Sequence, residues 1–224
     1  TALLAKEANP EREVVLVEQS WTGAGASGRN GGFCSYSLTH GFLNGYSRFK
    51  DEMAVIERLG RENLDAIEAT IRKYGIECDF EWNGEMRVAV EDWQIKGLRE
   101  EAELRNSFGD NVEILNQEQV QARIKSPTYK AALWDPDGTA LVDPARLVWG
   151  LERACIKLGV KIYENSHVDR LERTKNGIIV HSSYGSVYAG KVALATNVFK
   201  SLIKRAHKYV VPVYDFQLVT EPLT

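Results

Sequence analysis

The spacing of apolar positions changes along the chain, and the changes mark out its elements. Ala2-Leu3-Leu4-Ala5 predicts a helix over about 1–8 that turns at Asn9-Pro10. The run Val14-Val15-Leu16-Val17, closed by Glu18, predicts a buried-type strand over 13–18. Glycine, serine and asparagine then predict a loop to about residue 47. Met53, Ile56, Leu64, Ile67, Ile71 and Tyr74 fall near helical spacing and predict a long amphipathic helix stopped by Gly75. Short strands are expected around 78–82 and 85–90, with Asn83-Gly84 between them as a hairpin turn. Helices over 92–107 and 117–124 follow, the second opened by Asn116 and Gln119 in capping-box spacing.

Asp143-Pro144 pairs an N-cap residue with a first-turn proline and opens a helix over about 144–158 that stops at Gly159. A strand over 160–163 and hairpin-like strands over 166–173, 177–182 and 186–189 come next. Val192-Ala193-Leu194-Ala195 predicts a second buried strand ending at Thr196-Asn197. The valine-rich stretch 209–220 contains Pro212, which suits an edge or a strand start. Helix–strand alternation at both ends, around a different middle section, predicts a mixed α/β fold. Its nucleotide-binding core would be made of residues 1–47 and 141–208, with 48–140 inserted and 209–224 starting a return into the insertion.

Composition narrows the partners. With 44% hydrophobic and 26% charged residues the chain is not of a disordered type. A net charge of −3 gives no reason to expect nucleic acid or an anionic membrane. Lys200, Lys204, Arg205 and Lys208 form a small basic cluster that reads as a solvated face. Cys34, Cys78 and Cys155 are odd in number, far apart and without C-x-x-C spacing. That pattern argues against a disulfide framework or a zinc site and for a reducing, cytoplasmic setting. No apolar run approaches the roughly 20 residues of a membrane span.

The candidate chemistry sits behind the first strand. An acid at a strand end is how a Rossmann-like sheet meets a ribose hydroxyl pair. The stretch from Gly23 to Gly32 is glycine-rich, which lets main chain approach a large ligand closely. A phosphate-binding G-x-G-x-x-G is expected roughly 20 residues before the acid. Thr1 stands only 17 positions before Glu18, so the chain is expected to begin just after that loop. His40, His167, His181 and His207 lack metal-ligand spacing, and no metal site is expected. Trp134-Asp135-Pro136-Asp137-Gly138 lacks the later ligands of a calcium loop and reads as a tight turn. Trp82, Trp93, Trp134 and Trp149 read as core or interface residues.

The strand ending in Glu18, the loop Gly25-Ala26-Ser27-Gly28-Arg29-Asn30-Gly31-Gly32, the helix start Leu141-Val142-Asp143-Pro144, the Val168 strand and Ala193-Leu194-Ala195-Thr196-Asn197 occur in this order. Together they resemble the FAD-dependent amine and amino-acid oxidoreductases of the D-amino-acid oxidase superfamily. The Ser27–Gly32 wording is most similar to gamma-glutamylputrescine oxidoreductase-like members. The resemblance spans nearly the whole chain but only the first half to two-thirds of such a protein.

It implies a Rossmann-like FAD-binding core in two segments with an inserted substrate domain. Glu18 would bind the adenosine ribose of FAD, and Val168 would offer main chain to the adenine edge. Ala26 and Ser27 would approach the pyrophosphate and ribityl region; Asn30, Gly31, Gly32 and Phe33 would run beside the isoalloxazine. Arg29 would either stabilise the negative charge of reduced flavin or pair with a carboxylate of the neighbouring domain. Thr196 and Asn197 end a strand where the family has a small residue or glycine, and Asn tolerates the left-handed backbone there. The implied reaction takes a hydride equivalent from the α carbon of a small-molecule amine, and the imine formed is hydrolysed. Two other readings stay open: an NAD(P)-dependent dehydrogenase, and a non-catalytic fragment or binding module of the same scaffold. Without the phosphate loop, this chain alone is expected to hold little FAD and to lack amine oxidase activity.

Overall fold

Local signals set most element boundaries in the computed structural model, which describes residues 1–197, 199, 201–213, 216 and 218–221. In chain order the elements are α1 (Ala2–Ala8), β1 (Val15–Val17), β2 (Phe33–Ser35), α2 (Phe42–Arg48), α3 (Met53–Tyr74), β3 (Glu81–Trp82), β4 (Glu85–Ala89) and α4 (Asp92–Ser107). They continue with β5 (Glu113–Leu115), α5 (Gln117–Arg123), β6 (Ala131–Asp135), β7 (Thr139–Leu141), α6 (Pro144–Lys157), β8 (Lys161–Tyr163), β9 (Val168–Arg173), β10 (Ile178–Ser182) and β11 (Gly185–Ala189). The fold is mixed α/β, and it divides into two compact units: Thr1–Gly31 with Leu151–Thr224 (unit 1), and Gly32–Gly150 (unit 2).

In unit 1, β1 and β8 pair in parallel, from Val15 opposite Lys161 to Val17 opposite Tyr163. β9, β10 and β11 form an antiparallel meander with a register shift between His181 and Ser182. Leu3, Ala154, Cys155 and Val160 are its buried apolar side chains among the described residues. Residues 192–195, expected as a buried strand, form no regular element and pair with no described strand. Val192 and Leu194 are half-buried while Ala193 and Ala195 are exposed, so the alternation of a strand is there without a ladder. Apolar pattern reports burial; a strand also needs a neighbour for its N–H and C=O groups. Within 209–220, expected as extended, Tyr209 closes a 3-10 segment over Lys204–Tyr209, and residues 214, 215 and 217 lie outside the described ones. Lys204, Arg205 and Lys208 are exposed; Lys200 is outside the described residues.

Unit 2 is built on α3 and two three-stranded sheets. Gly75 ends α3 in the left-handed conformation, at φ +59°. Its amide donates to Arg72 O and that of Ile76 to Ile71 O, a Schellman closure with Ile71 and Ile76 both buried. β6 lies at the centre of the sheet β4-β6-β5. Ala131 and Leu133 pack with Leu98 and Ala102 of α4, whereas Ala132 packs with Val120 of α5. The two faces follow from the period of two along a strand, and both are covered, which is why β6 reads as a continuous apolar run. Asn116 and Gln119 close the capping box at the start of α5, each side chain bonding the other's main-chain N–H at 2.9–3.0 Å.

The Asn83-Gly84 hairpin is not formed. β3 pairs with β7 and β4 with β6, so residues 81–89 run antiparallel to 141–131 across both sheets. Asn83-Gly84 and Pro136–Gly138 are therefore facing corners on two adjacent strand lines. Gly84 has φ +67°, and a Cβ there would stand 2.6 Å from Asp135 O and from the Trp134 ring. A primed hairpin turn and a corner both need positive φ, so Asn-Gly alone does not choose between them. β2 and α2 also lie inside the stretch read as loop, and β5, β6 and β7 had no predicted counterpart. Trp93 is 77% exposed and so is no core residue.

Candidate functional site

The parallel pairing of β1 with β8 puts Glu18 at the carboxyl end of a ladder, where open α/β sheets receive ligands. Main-chain bonds fix this corner. The Glu18 amide donates to Tyr163 O at 2.9 Å, and Ser166 N donates to Glu18 O at 2.8 Å. Asn165 N donates to Ser20 O at 2.6 Å, and His167 Nδ1 lies 3.1 Å from Gln19 Oε1. The half-buried Glu18 side chain accepts from Ser20 N through Oε1 at 3.0 Å. Val168 begins β9 two residues beyond Ser166 and is half-buried. The structure thus brings Glu18 and Val168 to one end of unit 1.

The glycine loop is anchored to the same corner. Thr22 N donates to Glu164 Oε1 at 2.5 Å, holding that carboxyl below the usual carboxylate range, and Thr22 Oγ1 donates to Glu152 Oε1 at 2.8 Å. Ala26–Gly28 forms one 3-10 turn. Gly23, at φ +86°, approaches so closely that a Cβ on Gly28 would stand 2.3 Å from its carbonyl oxygen. Asn30 Nδ2 donates to Ala26 O and Ser27 O, both at 3.0 Å, so its side chain pins the loop. Ala26, Ser27, Arg29 and Gly31 are exposed, and a Cβ on Gly25 would meet nothing within 4 Å.

These residues fit a dinucleotide: a fixed carboxylate at the strand end, then exposed main chain open to a phosphate. Gly23-Ala24-Gly25-Ala26-Ser27-Gly28 even has G-x-G-x-x-G spacing. Its context differs from the Rossmann fingerprint, because it follows the acid and opens a three-residue 3-10 turn instead of a helix.

Gly32 and Phe33 belong to unit 2. Gly32 is buried at φ +75°, and a Cβ there would stand 2.1 Å from Val142 O, so close strand approach already demands a glycine. Phe33 is 73% exposed on β2, paired with Leu141. Thr196 and Asn197 lie in an exposed turn closed by Phe199 N on Thr196 O at 3.1 Å. Asn197 has φ +48°, the left-handed backbone its residue type suggests. Asp143 caps α6 through Oδ1, which accepts from Arg146 N at 3.0 Å. His40 is exposed at φ +55°.

Sequence reasoning missed a buried charge network in unit 2. Asp110 Oδ2 accepts from Arg105 Nε at 2.6 Å and from the Tyr36 hydroxyl at 2.7 Å. Arg105 also pairs with Asp135, and Arg61 pairs with Asp110 while its guanidinium lies 4.4 Å from the Tyr36 ring centroid. Burial pushes the Tyr36 phenol up, and the Asp135 and Asp110 carboxylates, outweighing Arg105's own burial, push its guanidinium up. Glu57, also buried, has an Oε2 without a hydrogen-bond partner among the described residues; burial, then Asp110, pushes its carboxyl up. Of the WDPDG segment, expected as a tight turn, Trp134 and Asp135 end β6 and only residues 136–138 bend; its first aspartate is an ion-pair partner in the interior. No local spacing announces this, since the partners come from separate elements.

Comparison with known proteins assigns the chain to a family. The chain is 31% identical to a probable oxidoreductase OrdL from Haemophilus influenzae, covering 95% of this chain and 51% of that protein. It is 32% identical to gamma-glutamylputrescine oxidoreductase from Escherichia coli, covering 84% of this chain and 44% of that protein. The chain thus spans about half the length of the curated relatives it matches. Its fold is similar to glycine oxidase from Bacillus cereus, with TM-score 0.72 at 19% identity over 88% of this chain and 52% of that one. L-amino acid deaminase from Proteus vulgaris gives TM-score 0.71 at 19% identity, over 94% and 48% of the two chains. Residues 1–224 match the family described as FAD dependent oxidoreductase, and the chain belongs to that family.

Proposed function

We propose that the full-length protein containing this chain uses FAD to oxidise the C–N bond of a small-molecule amine to an imine, which water hydrolyses to a carbonyl compound and an amine. The Glu18 corner carries this reading: a carboxylate fixed by main-chain bonds at the end of a parallel ladder, with an open glycine loop tied beside it. The name of the Escherichia coli relative, an oxidoreductase of gamma-glutamylputrescine, favours an amine substrate.

Residues 1–47 and 141–208 would form the FAD-binding core, 48–140 the substrate domain, and 209–224 the start of a return into it. Glu18 would hold the adenosine ribose, and the Val168 main chain the adenine edge. Ala26 and Ser27 would give the pyrophosphate and ribityl region close main-chain approach, within a loop that Asn30 keeps in shape. Asn30, Gly31, Gly32 and Phe33 would lie along the ring system, Thr196 and Asn197 at a further strand end. Arg29 would place a cation where negative charge develops. Bound flavin supplies the two-electron acceptor.

We further propose that these 224 residues alone hold little FAD and do not turn over an amine. The candidate phosphate contacts here come from a three-residue 3-10 turn, and a longer helix N-terminus is the stronger anion site. The three cysteines are free thiols, which suits a cytoplasmic, reducing setting.

The test is to purify the full-length protein and record its visible spectrum, then add a primary amine without oxygen. Flavin absorption that bleaches with the amine is expected. In Glu18→Ala the FAD Kd should rise about 10-fold or more, as for loss of a hydrogen bond to a charged group. A colourless full-length protein, or unchanged FAD affinity in Glu18→Ala, would overturn the flavin reading. Stoichiometric flavin on the 224-residue chain would overturn the second proposal alone.

A further inference from the structure

Unit 2 carries a cleft of about 310 Å³ lined by Tyr36, Arg61, Leu64, Asp65, Trp82 and Asp137. That volume is at the lower end of small-molecule sites, roughly 300–1,000 Å³. Buried Leu64 gives it an apolar floor, and Trp82, 42% exposed, gives it an aromatic wall. Phe80 backs that wall edge-on, with ring centroids 5.7 Å apart. Such a lining accepts an apolar body, and charge decides which one.

Arg61 is the cationic member of the lining, and it is already matched. It pairs with Asp110, whose side chain is 2% exposed, and it stacks on Tyr36, whose hydroxyl donates to the same carboxylate. Arg61 and Arg105 together face Asp110 and Asp135, so this network is neutral with Glu57 protonated. Burial and the neighbouring Asp110 favour the protonated form of Glu57. Asp65 and Asp137 are different: both are exposed, and neither forms an ion pair among the described residues. The cleft therefore presents a net negative lining to a ligand, and an anion would be repelled.

A metal ion suits it poorly. No group of three or more His, Cys, Asp or Glu side chains among the described residues is arranged to hold one. An organic ammonium needs no such cage, since it takes carboxylates as hydrogen-bond acceptors and aromatic faces as cation–π partners.

We propose that this cleft binds a small organic ammonium, with its charge against the Asp65 and Asp137 carboxylates and its apolar body against Trp82 and Leu64. The site is formed by unit 2 alone and requires no flavin, so it goes beyond the oxidation proposed above and stands or falls separately from it.

The probe is benzylammonium chloride, titrated into the flavin-free 224-residue chain at constant ionic strength. The readout is the Trp82 indole N–H resonance, identified by its loss in Trp82→Phe. A saturable shift is expected, with benzyl alcohol and benzoate binding more weakly. The double variant Asp65→Asn with Asp137→Asn should weaken benzylammonium by about fivefold or more, as two rim ion pairs would, and leave benzyl alcohol unchanged. Both carboxylates are exposed, so the fold should tolerate the change; should the double variant unfold, Asp65→Asn alone carries the comparison.

No saturable shift, equal affinity for benzoate or benzyl alcohol, or an undiminished affinity in the carboxamide variant would each overturn the proposal. Tighter binding of N-acetyl-lysinamide than of benzylammonium would assign the cleft to lysine side chains of a protein, overturning the small-molecule class.

Discussion

Asp135 in unit 2 and Glu18 in unit 1 are both carboxylates at the carboxyl end of a strand. Asp135 is 7% exposed and pairs with Arg105, itself buried and shared with Asp110. Glu18 is half-buried and is held by the amide of Ser20, within a corner closed by main-chain bonds. The first arrangement is charge-matched and closed, so its oxygens are committed to the fold. The second is positioned by backbone, and its Oε2 accepts no hydrogen bond among the described residues. An acid with an oxygen left open to a ligand and an acid committed to the interior are thus told apart by what holds them, not by their place on the strand.

Mutations that remove one partner from each arrangement test this contrast. Arg105→Ala should cost about 3–5 kcal/mol in urea unfolding, because it leaves buried Asp135 without its cationic partner and Asp110 with Arg61 alone. A cost below 1 kcal/mol would mean that water reaches the network and the comparison fails. Leu133→Ala, at a site 1% exposed between α4 and the sheet, should cost about 2–5 kcal/mol in the same assay. It sets the scale for an apolar contribution to the same unit.

Glu57→Gln sharpens the electrostatic part. Burial and Asp110 raise the Glu57 pKa above its ordinary 4.5, so the folded protein holds this proton more tightly than the unfolded chain. Wild-type stability should therefore fall, relative to Glu57→Gln, as pH rises from about 4.5 through the folded value. The two should converge below that range, as read by urea midpoints along a pH series. A difference that grows toward acid pH would reverse the assignment. The smallest effect belongs to unit 1: Glu18→Ala should change stability by less than about 0.5 kcal/mol. A loss comparable with that of Arg105→Ala would make Glu18 a structural acid after all.

Legibility in the sequence followed the range of the signal. The stop of α3 at Gly75, the capping box at Asn116 and Gln119, and the cap of α6 at Asp143-Pro144 are local, and the structure repeats them. The Glu18 strand was legible for the same reason, since a run of apolar residues ending in an acid is contiguous. Asn83-Gly84 misled because positive φ serves hairpins and corners alike, and only the partner strand decides. β5 and β7, three residues each, are too short to show a period. The segment 192–195 has the pattern of a strand without a described partner. The charge network was invisible because nothing near Arg105 in the chain names Asp135 or Tyr36.

That separation has a kinetic consequence. Tyr36 bonds Asp110 across 74 positions and Arg105 across 69, while Arg105 reaches Asp135 across 30. Contacts that close such long loops form after the helices and local turns have been made. The bonds of Tyr36 and of Asp135, unlike the local Arg105–Asp110 pair, would then be absent from the folding transition state and present only on its native side. Arg105→Ala should accordingly accelerate unfolding while leaving the refolding rate nearly unchanged, as the two arms of a denaturant chevron would report. Arg105 would then act chiefly as a latch on the lifetime of the folded state.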